Sequence, residues 1–167
     1  PVDGLSLYAN RIEGLQQGPS APIDPLLINS GEVFAPSKTT QYEVGAKLSL
    51  GRFNASLAAF QIDQPATGSE PAEGFPGLNR FILLGKQRNQ GLEFSVDGEL
   101  VDGLRVIAGA VLTDAKLRDT NSARDGSEAV GVPEYTANAN IEWDVPFARG
   151  LTLTGRVIHT GEQQVNV

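Results

Sequence analysis

One histidine and no cysteine leave little in this chain of 167 residues that could make or break bonds. His159 stands beside Thr160 and Gly161, with no second imidazole or thiolate to complete a zinc site and no partners for a nucleophilic triad. Asp119, Asp125 and Glu128 share one polar stretch, but the Asp-x-Asp spacing of a calcium loop is missing, so they read as solvated carboxylates. Glycine-rich phosphate cradles are absent. A net charge of −7 opposes nucleic acid, whose phosphates need clustered Lys and Arg. The lack of Cys excludes disulfides and leaves the compartment open. The expectation is a protein that is not an enzyme and holds no cofactor and no metal.

What the chain does carry is alternation. Over residues 40–50, Tyr42, Val44, Ala46, Leu48 and Leu50 interleave with Gln41, Glu43, Gly45, Lys47 and Ser49. A period of two puts one apolar and one polar face on a strand. Gly51 offers the positive φ of a tight reversal, and residues 53–62 run back. The pattern recurs over 91–100 and 104–117 around an Asp102-Gly103 turn, and over 135–144 and 151–160 around 146–150. With a first short strand over 5–10, this predicts about seven strands and an all-β, antiparallel up-and-down meander in which each strand pairs with its neighbour. Residues 80–89 are less regular and are expected to lead into the fourth strand.

The connections alternate too. Residues 13–38, 64–79 and 118–134 are long and rich in Pro, Gly or polar residues, while the intervening turns are short. Short turns on one side and long loops on the other mark an outer-membrane barrel, whose tilted strands cross the hydrocarbon in ~9–11 residues. By that rule the long loops face outward, and Phe53 and Trp143 sit near the short turns, where an aromatic girdle would place them. The competing reading is a soluble β-sandwich for adhesion or carbohydrate binding, which would need shorter strands and has no reason to alternate its loops. No apolar run is long enough for a transmembrane helix. A start at Pro1 and the absence of Met suggest a piece of a longer chain.

The ordered phrases Tyr42-Glu43-Val44-Gly45-Ala46-Lys47, Arg88-Asn89-Gln90-Gly91-Leu92-Glu93 and Gly131-Val132-Pro133, set in stretches such as "FAPSKTTQYEVGAKLSLG" and "GVPEYTANANIEWDVP", resemble the C-terminal barrel of TonB-dependent ferric-siderophore receptors. The resemblance covers nearly the whole chain. It implies part of a transmembrane barrel of about 22 strands with a plugged lumen. It further implies a place in the cell outer membrane, among its lipids, and import of a ferric siderophore with energy from the TonB complex. Residues 1–167 would then be a partial barrel, the plug domain, the TonB-contacting segment and the other strands lying elsewhere in a parent protein, so that the piece alone would not transport. Iron would arrive wrapped by the siderophore, and recognition would fall to aromatic and polar side chains near the outer loops. Tyr8, Arg11, Phe34, Phe75, Arg80 and Tyr135 are the candidates. Gly91 is expected at a bulge or close backbone approach, Glu93 on the lumen side. An isolated piece would expose its apolar face (Leu92, Phe94, Val96, Trp143 among others) and its two edge strands, and is expected to curl that face inward or to associate with other copies.

Overall fold

The computed structural model describes residues 3–120 and 123–165. Positions 1 and 2, 121 and 122 of the polar loop, and 166 and 167 of the closing stretch lie outside the described residues. Seven strands form one sheet: β1 (Leu5–Gln16), β2 (Ser37–Leu50), β3 (Phe53–Pro71), β4 (Asn79–Val101), β5 (Leu104–Arg118), β6 (Tyr135–Asp144) and β7 (Thr152–Thr160). The order in the sheet is the order in the chain and every pairing is antiparallel, as a meander requires. No strand crosses to a second layer, which removes the sandwich reading.

The expected reversals are where sequence chemistry put them. Gly51 has φ 63° and Gly103 φ 79°, values that an L side chain adopts only with strain. The strands, however, run well past the expected ends on the long-loop side. β1 extends through residues 11–16 because these pair with 37–42 of β2. β3 continues to Pro71 and β4 starts at Asn79, so residues 64–71, expected in a loop, are strand. The prolines hid this. The Ala72 N–H donates to the Leu78 carbonyl, so Pro65 and Pro71, of opposite parity, turn their missing N–H away from β4. On that side β2 has already ended, its last partner on β3 being Asp63, so no ladder bond is lost. The irregularity at 80–89 is a bulge: the register slips between Ala66 and Thr67, and Gly85 sits at φ 143°.

Residues paired across the sheet share a face. One row runs Leu7, Ala46, Leu57, Phe94, Ala110, Ala137, and the next runs Ala9, Val44, Ala59, Leu92, Leu112, Tyr135. The other face carries Glu43, Lys47, Ser56, Glu93, Ser95, Asp97, Asn138 and Asn140. None of the described residues forms a layer over the apolar face. The buried apolar residues among those described are six alanines and Val145, while Leu57 is 54% exposed and Phe94 45%. The expected curl of that face onto itself does not occur: Leu92, Phe94 and Trp143 remain partly exposed on an open sheet. Apolar area removed from water is worth roughly 25 cal/mol per Å², so a face this large requires a partner phase outside the chain.

Candidate ligand-recognition site

The long loops gather at one end of the sheet, above the apolar face, and they are ordered by backbone pairing. Residues 17–36 fold back on themselves through a Ser20–Val33 bridge, with the Ala21 N–H donating to the Glu32 carbonyl (2.8 Å) and the Phe34 N–H to that of Pro19 (2.9 Å). Gly18 fits only as glycine, since a Cβ there would lie 1.9 Å from the Phe34 carbonyl oxygen. The loop then crosses the β3–β4 arm to reach β4. β5 leaves β4 at the Lys86–Arg118 pair, so β4 above residue 86 has a bare edge. The Ile28 N–H donates to the Asn79 carbonyl (2.9 Å), and the Asn79 N–H to that of Leu26 (2.8 Å). The Asn29 side chain continues the ladder: its Nδ2 donates to the Phe81 carbonyl (2.8 Å), and its Oδ1 accepts the Phe81 N–H (2.9 Å). The loop is thus tucked against the edge of its own sheet.

The six candidates divide among three places. Phe34 meets Phe81 edge to face, ring centroids 5.8 Å apart. Phe75 stands at the tip of the β3–β4 arm, 53% exposed, and Arg80 lies on that arm opposite Glu70. Tyr8 sits on the polar face, where its hydroxyl donates to Glu43 Oε1 (2.5 Å) and its ring lies over Gly45 with Lys47 Nζ 5.0 Å from the centroid. Arg11 and Tyr135 are on the apolar face. Arg11 Nε donates to the Tyr42 hydroxyl (3.2 Å) and the guanidinium pairs with Glu13. Tyr135 stacks on His159, with its hydroxyl 2.9 Å from Nε2. The six therefore do not converge on one cavity.

Arg11 and Tyr135 belong instead to a boundary. The apolar stretches 42–50, 104–112 and 135–143 each cover nine residues, and aromatics mark their limits: Tyr42 and Tyr135 (opposite Leu112) toward the loops, Phe53 (opposite Leu50) and Trp143 (opposite Leu104) toward the turns, with Phe147 packed edge-on to Trp143 at 6.4 Å. Past Tyr42 the same face turns polar, with Gln61, Gln90 and Asp114, then Asp63, Arg88 and Lys116. Arg88 grips Asp63 with two hydrogen bonds of 2.7 Å, and this donation holds the Asp63 carboxyl below the usual carboxylate range, outside the apolar stretch. Gly91 shows the close approach expected of it, without a bulge. A Cβ there would lie 2.1 Å from the Leu112 carbonyl oxygen and 2.7 Å from the Phe60 ring.

A concavity of about 500 Å³ opens where residues 130–133 arch away from β5, between the Ala129 N–H bond to the Ala115 carbonyl and the Thr113 N–H bond to the Glu134 carbonyl. Asp114, Glu128, Glu134 and Glu162 line it with Gln90 and Gln163, and none of the six candidates does. Sequence reading missed these carboxylates as a group because they come from three separate segments. It also missed Asn29, whose partner Phe81 lies 52 positions away. Among the described residues no His, Asp and Glu group is arranged to hold a metal ion.

Comparison with known proteins gives one consistent result. The chain is 38% identical to the ferrichrome receptor FcuA of Yersinia enterocolitica over 99% of its own length and 22% of that protein. The solved ferric preacinetobactin receptor BauA of Acinetobacter baumannii is also 38% identical, with a TM-score of 0.76 over 99% of this chain and 25% of that one. The pyoverdine outer membrane receptor FpvA of Pseudomonas aeruginosa, 22% identical, shares the fold with a TM-score of 0.71 over 92% of this chain and 22% of that one. The chain thus spans about a quarter or less of the length of these three relatives. The family model for TonB dependent receptor-like β-barrels matches residues 1–166, and the chain belongs to that family.

Proposed function

We propose that this chain is part of the barrel wall of a cell outer-membrane receptor that binds a ferric siderophore at its outer loops and imports it with energy from the TonB complex. In this reading residues 1–167 form a partial barrel, and the plug and remaining strands belong to other parts of the parent. The carrying observation is the apolar band about nine residues deep, bounded by Tyr42 and Tyr135 on one side and Phe53 and Trp143 on the other, with the ordered loops all at one end. Lipid tails are the phase that such a band fits. The polar face, with its Tyr8–Glu43, Asn54–Asp97 (3.0 Å) and Ser56–Ser95 (2.7 Å) pairs, fits a wet lumen. Phe34, Phe75 and Arg80 among the loops and Tyr8 on the lumen side are proposed ligand contacts, whereas Arg11 and Tyr135 serve at the lipid boundary.

The test is complementation. The full parent gene, expressed in a strain stripped of its own receptors, is expected to restore growth on a ferric hydroxamate such as ferrichrome or on another ferric chelate of a panel. Correct insertion in the outer membrane with no growth on any chelate overturns the reading.

A further inference from the structure

We infer that Asn29 is a latch: its side chain clamps the first outer loop to the free edge of β4 and so positions that loop for ligand. The ligand half of this inference rests on the receptor reading above. A primary amide has a donor and an acceptor in the same geometry as a peptide group, so it can replace one residue of a strand. Asn29 does this. Its Nδ2 and Oδ1 satisfy both the carbonyl and the N–H of Phe81, at 2.8 and 2.9 Å, one step beyond the backbone pairing of Leu26 and Ile28 with Asn79. Nδ2 also lies 2.7 Å from Glu32 Oε2, which fixes the amide orientation from the loop side.

Three features make the clamp local and releasable. β4 is uncovered above Lys86, so the Phe81 backbone is a docking edge with no competing strand. The loop is otherwise tied to the arm by backbone bonds at Asn79 and by the Phe34–Phe81 edge contact. It buries little apolar surface, Ile23 being 87% exposed and Leu26 56%. Two hydrogen bonds of ordinary net worth therefore shift the docked-to-undocked ratio by about tenfold or more. When the loop is docked, Phe34 and Phe81 are held edge to face; when it is released, they separate.

The experiment uses the full-length receptor in outer membranes and the ferric chelate that supports its growth. Asn29→Ala is expected to weaken chelate binding by about tenfold and to open residues 17–36 to protease, with the folded amount and melting temperature of the barrel unchanged. A staple then separates positioning from mere structure. Leu27 and Asn79 are bridge partners and residues 1–167 contain no Cys, so Leu27→Cys with Asn79→Cys on the Asn29→Ala background, with any Cys elsewhere in the receptor replaced by Ser, can lock the loop down. Oxidation should restore both affinity and protection, and reduction should remove both. Wild-type affinity in Asn29→Ala overturns the inference, as does a staple that restores protection without affinity. If the wild-type receptor binds no chelate at all, the receptor reading fails on its own. An Asn29→Ala loop as protected as wild type then overturns the latch independently.

Discussion

At the scale of single residues, the sheet is built on contacts too close for any other side chain. Gly91 is the clearest. A Cβ there would lie 2.1 Å from the Leu112 carbonyl oxygen, and its absence also makes room for the Phe60 ring, which lies across Gly91 as Tyr8 lies across Gly45. Gly91→Ala is expected to destabilise the barrel by about 1–3 kcal/mol, read as a lower urea midpoint in lipid, because backbone rather than a flexible side chain must move. An unchanged midpoint would mean that the strands can separate there without cost. The Asp63–Arg88 pair carries a pH dependence of definite sign. Arg88 lowers the folded carboxyl's pKa, so the pair stabilises the fold above the unfolded carboxylate's value near ~4 and loses that contribution as pH falls through the folded value. The side chains are mostly shielded, and the contribution is about 1 kcal/mol. Asp63→Asn should therefore cost stability at pH 7 and progressively less as the pH falls through the folded carboxyl's value; a loss that does not change with pH would contradict the ionic account.

At the scale of elements, alternation and turn chemistry made much of the sheet legible in the sequence. Residues 135–144 are β6 as read, Gly51 and Asp102-Gly103 turn where expected, and the pairing is sequential. What escaped is the β3–β4 arm, since Pro65 and Pro71 signal loop by composition and are harmless only because no strand flanks that side. The candidate site was less legible still. Tyr8 and Arg11 are three residues apart and stand on opposite faces, which follows from period two. The loop docking that matters for Phe34 depends on Asn29 and Phe81, and no local signal connects them. The two faces can be told apart by experiment on adjacent residues of β7. Val157 and Ile158 are both β-branched and both 61% exposed in this chain, yet Val157 is on the apolar face and Ile158 on the polar one. In the full receptor in lipid, Val157→Arg is expected to cost about 2–4 kcal/mol, while Ile158→Arg, facing the lumen, costs less than about 1 kcal/mol. Comparable losses, measured as the yield of folded heat-modifiable barrel and by urea titration, would refute the assignment of the lipid side.

At the scale of the whole molecule, charge is distributed along the strand direction. The outer loops and the closing stretch carry Asp24, Glu32, Glu73, Asp119, Asp125, Glu128, Glu134 and Glu162 against the single cation Arg124. Their balance of −7 equals the net charge of the chain, so the strands and short turns are neutral as a set. That neutrality is visible as pairing: Arg52 with Glu99 and Asp102, Arg88 with Asp63, Arg105 with Glu142 and Asp144. On the receptor reading the negative field sits where a ligand would approach, and three of its carboxylates, Glu128, Glu134 and Glu162, converge on the concavity beside β5, together with Asp114 of β5, which Lys116 pairs. A field of one sign at a mouth changes encounter rates by ~10-fold or more, and it does so over a Debye length of about 8–10 Å. On the receptor reading, this part of the rim disfavours an anionic ferric chelate and admits a neutral or cationic one. Changing Glu128, Glu134 and Glu162 together to Gln in the full receptor should raise the association rate of an anionic chelate several-fold at low salt. It should leave a neutral chelate unaffected and lose its effect near 1 M salt, where screening falls to about 3 Å. Stopped-flow quenching with the two chelates measures this directly, and an equal change for both, or one that persists in high salt, would show that the acids act by contact and not through their field.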